Sequence, residues 1–274
     1  MVARGMEGML SSAELVPVDL TAGPVLLVND DGIEARGFAA LERLAARLGA
    51  ETWVVAPADG RSAASAMISL RREIAVEQRG DRRFAISGSP ADCVLAGLAH
   101  ILKDRRPSLV LSGINHGANV GDDMAFSGTV GAATMAATYG IPAIAISLEH
   151  GPGRLESDAA FAACEQRGAE IVRGLCHSGF QPGLLYNLNF PHRDDLEGVE
   201  LVFCRQGAQG GGSFALDPLP DGFFIWHHGD RGVDIGDSDY AHLRAGKITV
   251  TPIRADRSDT TLLAQLSAGF RGGV

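Results

Sequence analysis

Residues Val25–Gly32, VLLVNDDG, decide the expected fold, because an apolar run stops there at two adjacent carboxylates and a glycine. Continuous Val and Leu are typical of a strand covered on both faces, and Gly32 supplies the backbone freedom for a turn. In open α/β sheets, ligands bind beyond the carboxyl ends of the strands. Asp30 and Asp31 would concentrate negative charge there, which a hard metal ion could neutralise. The alternative is that Asp-Asp-Gly merely turns the chain and caps the next helix.

The composition is that of a globular chain of 274 residues, 46% of them hydrophobic. A net charge of −9 argues against a nucleic acid polymer or an anionic membrane as partner. No stretch is apolar for long enough to span a bilayer. The four cysteines are widely spaced without a CxxC pair, which predicts free thiols and a cytoplasmic location. Residues 1–23 lack the basic start and apolar core of a signal peptide, so we expect a flexible leader.

Strand-like and helix-like stretches alternate along the chain up to Asn189. Such alternation implies parallel strands joined by right-handed crossovers. The sequence therefore predicts an α/β fold, a Rossmann-like three-layer doubly wound and mostly parallel sheet, with one hairpin excursion within residues 66–87. The expected strands are 25–28, 51–56, 108–112, 143–147 and 184–189, and the expected helices are 34–48, 90–103, 128–139 and 157–176.

Past Pro191 the alternation breaks. Residues 199–229 contain short strand-like runs and an aromatic group at 223–226, which predict extended hairpins rather than another crossover. Exposed aromatic residues on such a C-terminal β-hairpin arm predict an oligomer interface. A strand over 248–252 and a closing helix capped by Ser258 complete the expected chain. The expected parts are a leader (1–23), an α/β catalytic core (24–192), an extended β-rich arm for oligomerisation (193–252), and a C-terminal helix and tail (253–274).

Two further polar side chains, Ser62 and Asn115, follow other predicted strands. Because the carboxyl ends of the strands converge on one crevice, we expect both to lie near Asp30 and Asp31. Carboxylate, amide and hydroxyl oxygens without cysteine or histidine suit Mg²⁺, Mn²⁺ or Ca²⁺ rather than zinc. Four such donors at three strand ends favour a metal site over a simple turn.

Ser127-Gly128-Thr129 opens a predicted helix after a polar, glycine-rich run. The unpaired amides and positive dipole end of a helix start bind anions, most commonly phosphate. A plain N-cap is the alternative interpretation. Neither GxxxxGK[ST] nor G-x-G-x-x-G after the first strand is present, so the phosphate would belong to a substrate and not to a cofactor.

A metal beside an anion site indicates metal-assisted hydrolysis of a phosphate ester. His116 follows Asn115 and is a candidate acid or base, although an isolated histidine can equally be structural. His227, His228 and the acidic residues Asp230, Asp237 and Asp239 could reach a neighbouring site, but a solvated loop is the simpler interpretation.

Several longer motifs resemble one known family, and the resemblance covers about residues 24–260. The motifs are Val28–Gly32, Ala56-Pro57 with Arg61–Ala63, Gly88–Val94, Ser112–Gly121, Ser127–Val130, Asn187–Pro191 and Thr249–Pro252. Together they resemble SurE, the survival protein E family of metal-dependent nucleotidases. Departures from the family pattern, such as Phe126 in place of a frequent tyrosine, remove no ligand.

The resemblance implies hydrolysis of nucleoside 5′- and 3′-monophosphates, and of short-chain polyphosphate in some members. It implies one divalent metal ion per subunit, Mg²⁺ or Mn²⁺ first and Ca²⁺ as an occupant in crystals, and a homodimer or homotetramer assembled through the carboxyl-terminal arm. We take Asp30, Asn115 and His116 as catalytic candidates. The implied metal ligands are Asp30, Asp31, Ser62 and Asn115, and the implied phosphate-binding residues are Asn119, Ser127, Gly128 and Thr129.

Two other functions compete with this one. A phosphoacceptor receiver module also ends its first strand in paired acidic residues that bind Mg²⁺. Here, however, the strand ending at Ser112 leads to Asn115 instead of an acceptor aspartate, and strand 143–147 is not followed by the lysine that such modules use. A non-catalytic, Mg²⁺-dependent nucleotide sensor would present the same ligands as an enzyme.

Overall fold

A nine-stranded sheet forms the centre of the computed structural model, which describes residues 14–151, 153, 156–208, 214–228 and 236–271. The strands are β1 Val25–Val28, β2 Thr52–Pro57, β3 Val76–Gly80, β4 Arg83–Ile86, β5 Leu109–His116, β6 Ala143–Leu148, β7 Leu184–Phe190, β8 Leu201–Phe203, β9 Phe214–Pro218, β10 Phe224–His228 and β11 Ile248–Arg254. The α-helices are α1 Arg36–Arg47, α2 Pro90–Ala96, α3 Gly128–Thr138, α4 Asp158–Ser178, α5 Asp239–Arg244 and α6 Thr260–Arg271.

The sheet has the order β3-β4-β2-β1-β5-β6-β7-β11-β8. Strands β4, β2, β1, β5, β6 and β7 are all parallel to their neighbours in that run. From β1 the chain order runs outward through β2 on one side and through β5 on the other. This reversal makes the gap between β1 and β5 the switch point of the sheet, where ligands of open α/β sheets bind. The predicted doubly wound α/β fold is confirmed.

Helices cover both faces of the sheet and produce three layers. Helices α1 and α4 bury large side chains such as Leu41, Leu44 and Phe161 on one face. Helices α2 and α3 pack on the other face, where Ala132 and Ala136 let α3 approach the strands closely. The predicted stop of α1 is also confirmed, because Gly49 has a positive φ of 74° just beyond it.

The carboxyl-terminal part differs from the expected set of hairpins. Strand β11 pairs antiparallel with β7, and β8 pairs parallel with β11, so a further crossover joins β8 to β11. The sheet therefore continues past the expected boundary at residue 193. Among the described residues, only β9 and β10 form an antiparallel hairpin separate from the main sheet. Phe223, Phe224 and Ile225 are exposed on it.

Both ends of the described chain also correct the expectations. Val16 exchanges backbone hydrogen bonds with Phe180, and the Val18 amide donates to the Cys176 carbonyl, so residues 14–22 are attached to the core instead of forming a flexible leader. Residues 1–13 lie outside the described part. The closing helix is capped by Asp259, whose carboxylate accepts from the Leu262 amide, and not by Ser258.

Within the described residues, no helix is both long enough and apolar enough to span a membrane.

Candidate metal and phosphate site

A pocket of about 310 Å³ opens at the switch point of the sheet. It brings together most of the residues that the sequence predicted for the site. Its lining includes Asp30, Asp31, Ser62, Asn115, His116, Asn119 and Ser127, together with Ala63, Gly117, Ala118, Asp123, Phe126 and His150. Gly128 and Thr129 do not line it.

The end of β1 places the two carboxylates. The Asn29 side-chain amide donates to the Gly32 carbonyl at 2.7 Å and closes the turn. The Arg61 amide donates to the Asp30 carbonyl at 2.6 Å, which ties the loop after β2 to the same turn. Ser62 therefore reaches the pocket because its loop is anchored beside Asp30.

Asp30 is buried against the start of α3. The Thr129 hydroxyl donates to Asp30 Oδ1, and Gly128 gives the other oxygen room, since a Cβ at position 128 would lie 2.8 Å from Asp30 Oδ2. Burial raises the pKa of Asp30 to about 6, and the negative charge of Asp31 adds to that effect. The carboxylate is thus held in place without a compensating positive charge.

Asp31 faces the same pocket from the next position. Its Oδ2 accepts the backbone N–H of His116 at 3.1 Å, and burial raises its pKa to about 6 despite that hydrogen bond. The charge of Glu156 raises it further. Two adjacent carboxyl groups whose pKa values are both raised by burial form a site that a bound cation would stabilise.

Asn115 reaches the pocket through an irregularity in β5. The strand continues to His116 instead of ending at Ser112, and its register against β6 shifts by one residue between Ser112 and Asn115. The Asn115 side-chain NH₂ donates to the Gly117 carbonyl at 2.7 Å. Its Oδ1 is therefore the atom left to accept or to coordinate.

The phosphate-binding candidates separate into two groups. Ser127 and Asn119 line the pocket; Ser127 caps α3 by accepting the Val130 N–H at 3.0 Å, and Asn119 donates to Ser147 Oγ at 2.9 Å. Thr129 is fully buried, and its hydroxyl serves Asp30. Thr129 therefore positions a carboxylate, while the positive end of α3 still faces the pocket beside Ser127.

His116 has one ring nitrogen already engaged. The backbone N–H of Gly37 donates to His116 Nε2 at 3.1 Å, and His116 Nδ1 lies 3.5 Å from Glu156 Oε2. Burial lowers the pKa of His116. These contacts favour a positioning role for this residue, through its ring and through the amide that it offers to Asp31.

Three polar residues at or near the site were not predicted. His150 follows β6 at the same edge of the sheet as Asp30. The rule that ligands bind beyond the carboxyl ends of the strands would therefore have indicated this residue. Glu156 lies across a loop with no local signal. Asp239, expected on a solvated loop, is fully buried and accepts from the amides of Gly121 and Gly207. It joins the start of α5 to the loop that carries Asn119.

The donor set fits a hard divalent cation. Asp30 and Asp31 supply two carboxylates, and Asn115 Oδ1 and Ser62 Oγ are neutral oxygens in the same pocket. In the described part of the chain, no group of three or more His, Cys, Asp or Glu side chains could hold a metal. A metal here would need the neutral oxygens as well as the carboxylates.

Comparison with known proteins gives a consistent result. The family model of Survival protein SurE matches residues 25–211. The 5′-nucleotidase SurE of Roseobacter denitrificans is 42% identical over 255 residues, covering 89% of this chain and 98% of that protein. The 5′-nucleotidase SurE of Rhizorhabdus wittichii is 38% identical over 252 residues, covering 90% and 99%.

The crystal structure of the SurE protein from Aquifex aeolicus superimposes with a TM-score of 0.76 at 28% identity and covers 89% of this chain and 98% of that one. The likeness therefore extends from local motifs to the whole fold. Because the family model spans more than half of the chain and the relatives match along nearly their whole length, this chain belongs to the SurE family.

Proposed function

We propose that this protein is a metal-dependent phosphomonoesterase that hydrolyses nucleoside 5′- and 3′-monophosphates to nucleoside and phosphate, and short-chain polyphosphate as a further substrate. One observation carries the proposal: a buried and a half-buried carboxyl group, both with raised pKa values, meet neutral oxygen donors at the switch point of the sheet, beside a helix start. The activity named for the curated relatives agrees with this chemistry.

One divalent ion per chain, Mg²⁺ or Mn²⁺, would be held by Asp30, Asp31, Ser62 and Asn115. Such an ion neutralises phosphoryl oxygens and helps to activate water. The donor chemistry supports this assignment, because all four side chains offer hard oxygen atoms. No cysteine or histidine belongs to the set.

The chain's own residues orient these ligands. Thr129 fixes Asp30, the His116 amide fixes Asp31, and the Gly117 carbonyl fixes the amide of Asn115. Each contact fixes the orientation of one ligand side chain. Asp30 and Asn115 are the catalytic residues of this proposal, and His116 is a positioning residue.

The phosphate group would sit between the carboxylates and the start of α3. Ser127 and Asn119 supply polar side chains there, and the backbone around Gly128 and Thr129 supplies the positive end of the helix. A group of net negative charge is favoured at that end and is disfavoured by Asp30 and Asp31 alone. A bound cation would offset the negative charge of Asp30 and Asp31, so that the phosphate group could bind beside them.

Assembly and location are part of the same proposal. The hairpin of β9 and β10 exposes Phe223, Phe224 and Ile225, which a second copy would cover in a homodimer or homotetramer. All four cysteines are free and buried, which agrees with a reducing compartment such as the cytoplasm. A net charge of −9 disfavours nucleic acid polymers and anionic membranes as partners.

The test of activity is a phosphate-release assay with a panel of nucleoside 5′- and 3′-monophosphates, with Mg²⁺ or Mn²⁺ and then with excess chelator. We expect release that requires the divalent ion. Release that is unchanged by the chelator would contradict the metal requirement. Nucleotide binding without any release, measured on the same samples by calorimetry, would instead identify a sensor.

The test of assembly is a variant in which a Gly-Ser linker replaces residues 214–228. This deletion spares Asp239, which belongs to the core. We expect a smaller particle mass by light scattering with phosphate release retained. An unchanged mass would reject the hairpin as the interface.

A further inference from the structure

Two histidines share one buried carboxylate at the edge of the pocket. His150 Nδ1 lies 2.5 Å from Glu156 Oε1, and His116 Nδ1 lies 3.5 Å from Glu156 Oε2. The Glu156 side chain is 6% exposed, whereas the His150 side chain is 31% exposed. Glu156 therefore orients both rings from the protein side, and both rings contribute to the lining of the pocket.

The two rings differ in what remains of their hydrogen-bonding capacity. His116 Nε2 accepts the Gly37 amide proton, so that nitrogen carries no proton. Gly37 packs closely against β5, because a Cβ at that position would lie 2.0 Å from the Ile114 carbonyl oxygen. His116 consequently has no proton to donate from Nε2 toward the pocket.

His150 has the opposite arrangement. Its Nδ1 is engaged with Glu156, and Glu156 is its hydrogen-bond partner among the residues that the structure describes. Its Nε2 lies over Gly117, since a Cβ at position 117 would lie 2.6 Å from that nitrogen. Gly117 and His150 line the same pocket as Asp30 and Asp31. The outer nitrogen of His150 is thus available at the site.

We propose that His150 is the general acid that protonates the leaving oxygen of an alkyl phosphate monoester, with Glu156 as its positioning residue. The inference rests on the proposed phosphomonoesterase function and gives a role to a pocket residue that is neither a metal ligand nor a phosphate-binding residue of that proposal. A carboxylate that accepts from Nδ1 fixes the ring and stabilises the imidazolium, which leaves the Nε2 proton for the substrate.

The step is balanced. A water oxygen forms a new bond to phosphorus and releases one proton to solvent. The bond from phosphorus to the ester oxygen breaks, its electron pair stays on that oxygen, and the His150 Nε2 proton joins it to give the alcohol. His150 then recovers a proton from solvent, so the products are a nucleoside and hydrogen phosphate.

The charged and titratable groups around His150 come from three elements. Glu156 faces it from the segment before α4, and His116 lies across Glu156 at the end of β5. Asp31, at the end of β1, feels the charge of Glu156. The test is therefore based on the leaving group and not on a pH profile, to which several of these groups would contribute.

The experiment compares His150→Gln with the natural protein on two substrates, a nucleoside 5′-monophosphate and p-nitrophenyl phosphate. Gln is similar to His in size and cannot act as an acid, and thermal unfolding checks that the fold is kept. A poor alkoxide leaving group needs the acid, so we expect kcat for the nucleotide to fall by about 10²-fold or more. The p-nitrophenolate leaves without protonation, so its kcat should fall by less than about fivefold.

The matched control is His177→Gln on the exposed last turn of α4, which should change neither rate. Glu156→Gln should reproduce the leaving-group split more weakly, and Glu156→Asp should recover part of the nucleotide rate. Equal losses on both substrates in His150→Gln, or no loss on either, would overturn the inference. No nucleotide hydrolysis by the natural protein would instead refute the proposed function itself.

Discussion

Two sets of buried carboxylates in this protein behave in opposite ways. Asp30 in the crevice and Asp92 at the start of α2 are 4% and 3% exposed. Burial raises the pKa of both, but for Asp92 the hydrogen bonds from the amides of Ser89 and Ser69 outweigh burial and lower it overall. For Asp30 burial wins, and the pKa rises to about 6.

The difference distinguishes a structural carboxylate from one that would bind a ligand. The cap at α2 is complete within the chain, because Ser89 and Asp92 each accept the other's amide proton. The crevice is incomplete, because Asp30 and Asp31 repel each other and receive few donors. A buried carboxylate that receives enough hydrogen bonds from the chain contributes to stability. A buried carboxylate that receives too few is stabilised when a cation binds to it.

The largest expected effect separates the two sets by activity. Asp30→Asn should lower phosphate release by at least about 10²-fold, because a metal at the reacting phosphate is worth several kcal/mol. The same variant should be no less stable than the natural protein without metal, since it removes a buried charge. Steady-state kinetics measure the phosphate release, and urea unfolding measures the stability. A strongly destabilised variant would show that Asp30 is structural, like Asp92.

The next effect is a pH dependence of stability. Asp30 and Asp31 have raised pKa values of about 6 in the folded, metal-free protein, whereas unfolded Asp titrates near 3.8. Between those values the native state binds more protons, so its free energy of unfolding should fall as pH rises from about 4 to 6, on the order of a few kcal/mol for the pair.

Asp92 has a lowered pKa, so its contribution is present above about pH 4 and is lost only below it. Urea unfolding of the metal-free protein at pH 4.5 and 6.5 distinguishes the two windows. Asp30→Asn should flatten the slope, while an equally steep slope in that variant would contradict the assignment.

A smaller effect tests how Asp30 is held. Thr129→Val keeps the shape of the side chain and removes the hydroxyl that donates to Asp30 Oδ1. Loss of such an orienting contact typically costs about 10- to 100-fold in metal affinity or activity. Calorimetric titration with Mn²⁺ measures the affinity. Thr134→Val on the same helix, which removes a hydroxyl bonded only to the helix backbone, is the control and should leave affinity unchanged.

The smallest effect concerns the completed cap. Asp92→Ala removes the acceptor of the Ser89 and Ser69 amides and should cost about 1–3 kcal/mol of stability. The midpoint temperature of thermal unfolding should fall by about 2–4 °C for each kcal/mol lost, and the specific activity should be unchanged. A large loss of activity at equal stability would mean that Asp92 communicates with the crevice and that the two sets are not separate.

Much of the fold and part of the site could be predicted from sequence. Local periodicity located the strands, and the convergence of their carboxyl ends placed Asp30, Asp31, Ser62 and Asn115 at one edge. The structure lines one pocket with all four. This succeeds because each residue lies at or shortly after the carboxyl end of a strand, so that the position depends on local pattern and on one rule of topology.

The remainder depends on contacts between distant segments. Glu156 joins His116 to His150, and Asp239 reaches back to Gly121, yet nothing near either acidic residue in sequence indicates its partner. Strand β8 is too short for its sequence to indicate that it pairs in parallel with β11. Hydroxyl direction is equally invisible in the sequence, so the hydrogen bond from Thr129 to Asp30 could not be predicted.

The most direct test of the crevice as a cation site is calorimetric titration of the chain with Mn²⁺ at pH 7.5. The natural protein and Asp92→Ala should each bind one ion per chain with similar affinity. Asp31→Asn should lose that binding while its far-UV circular dichroism stays unchanged. Full binding by Asp31→Asn, or no binding by the natural protein, would contradict the account.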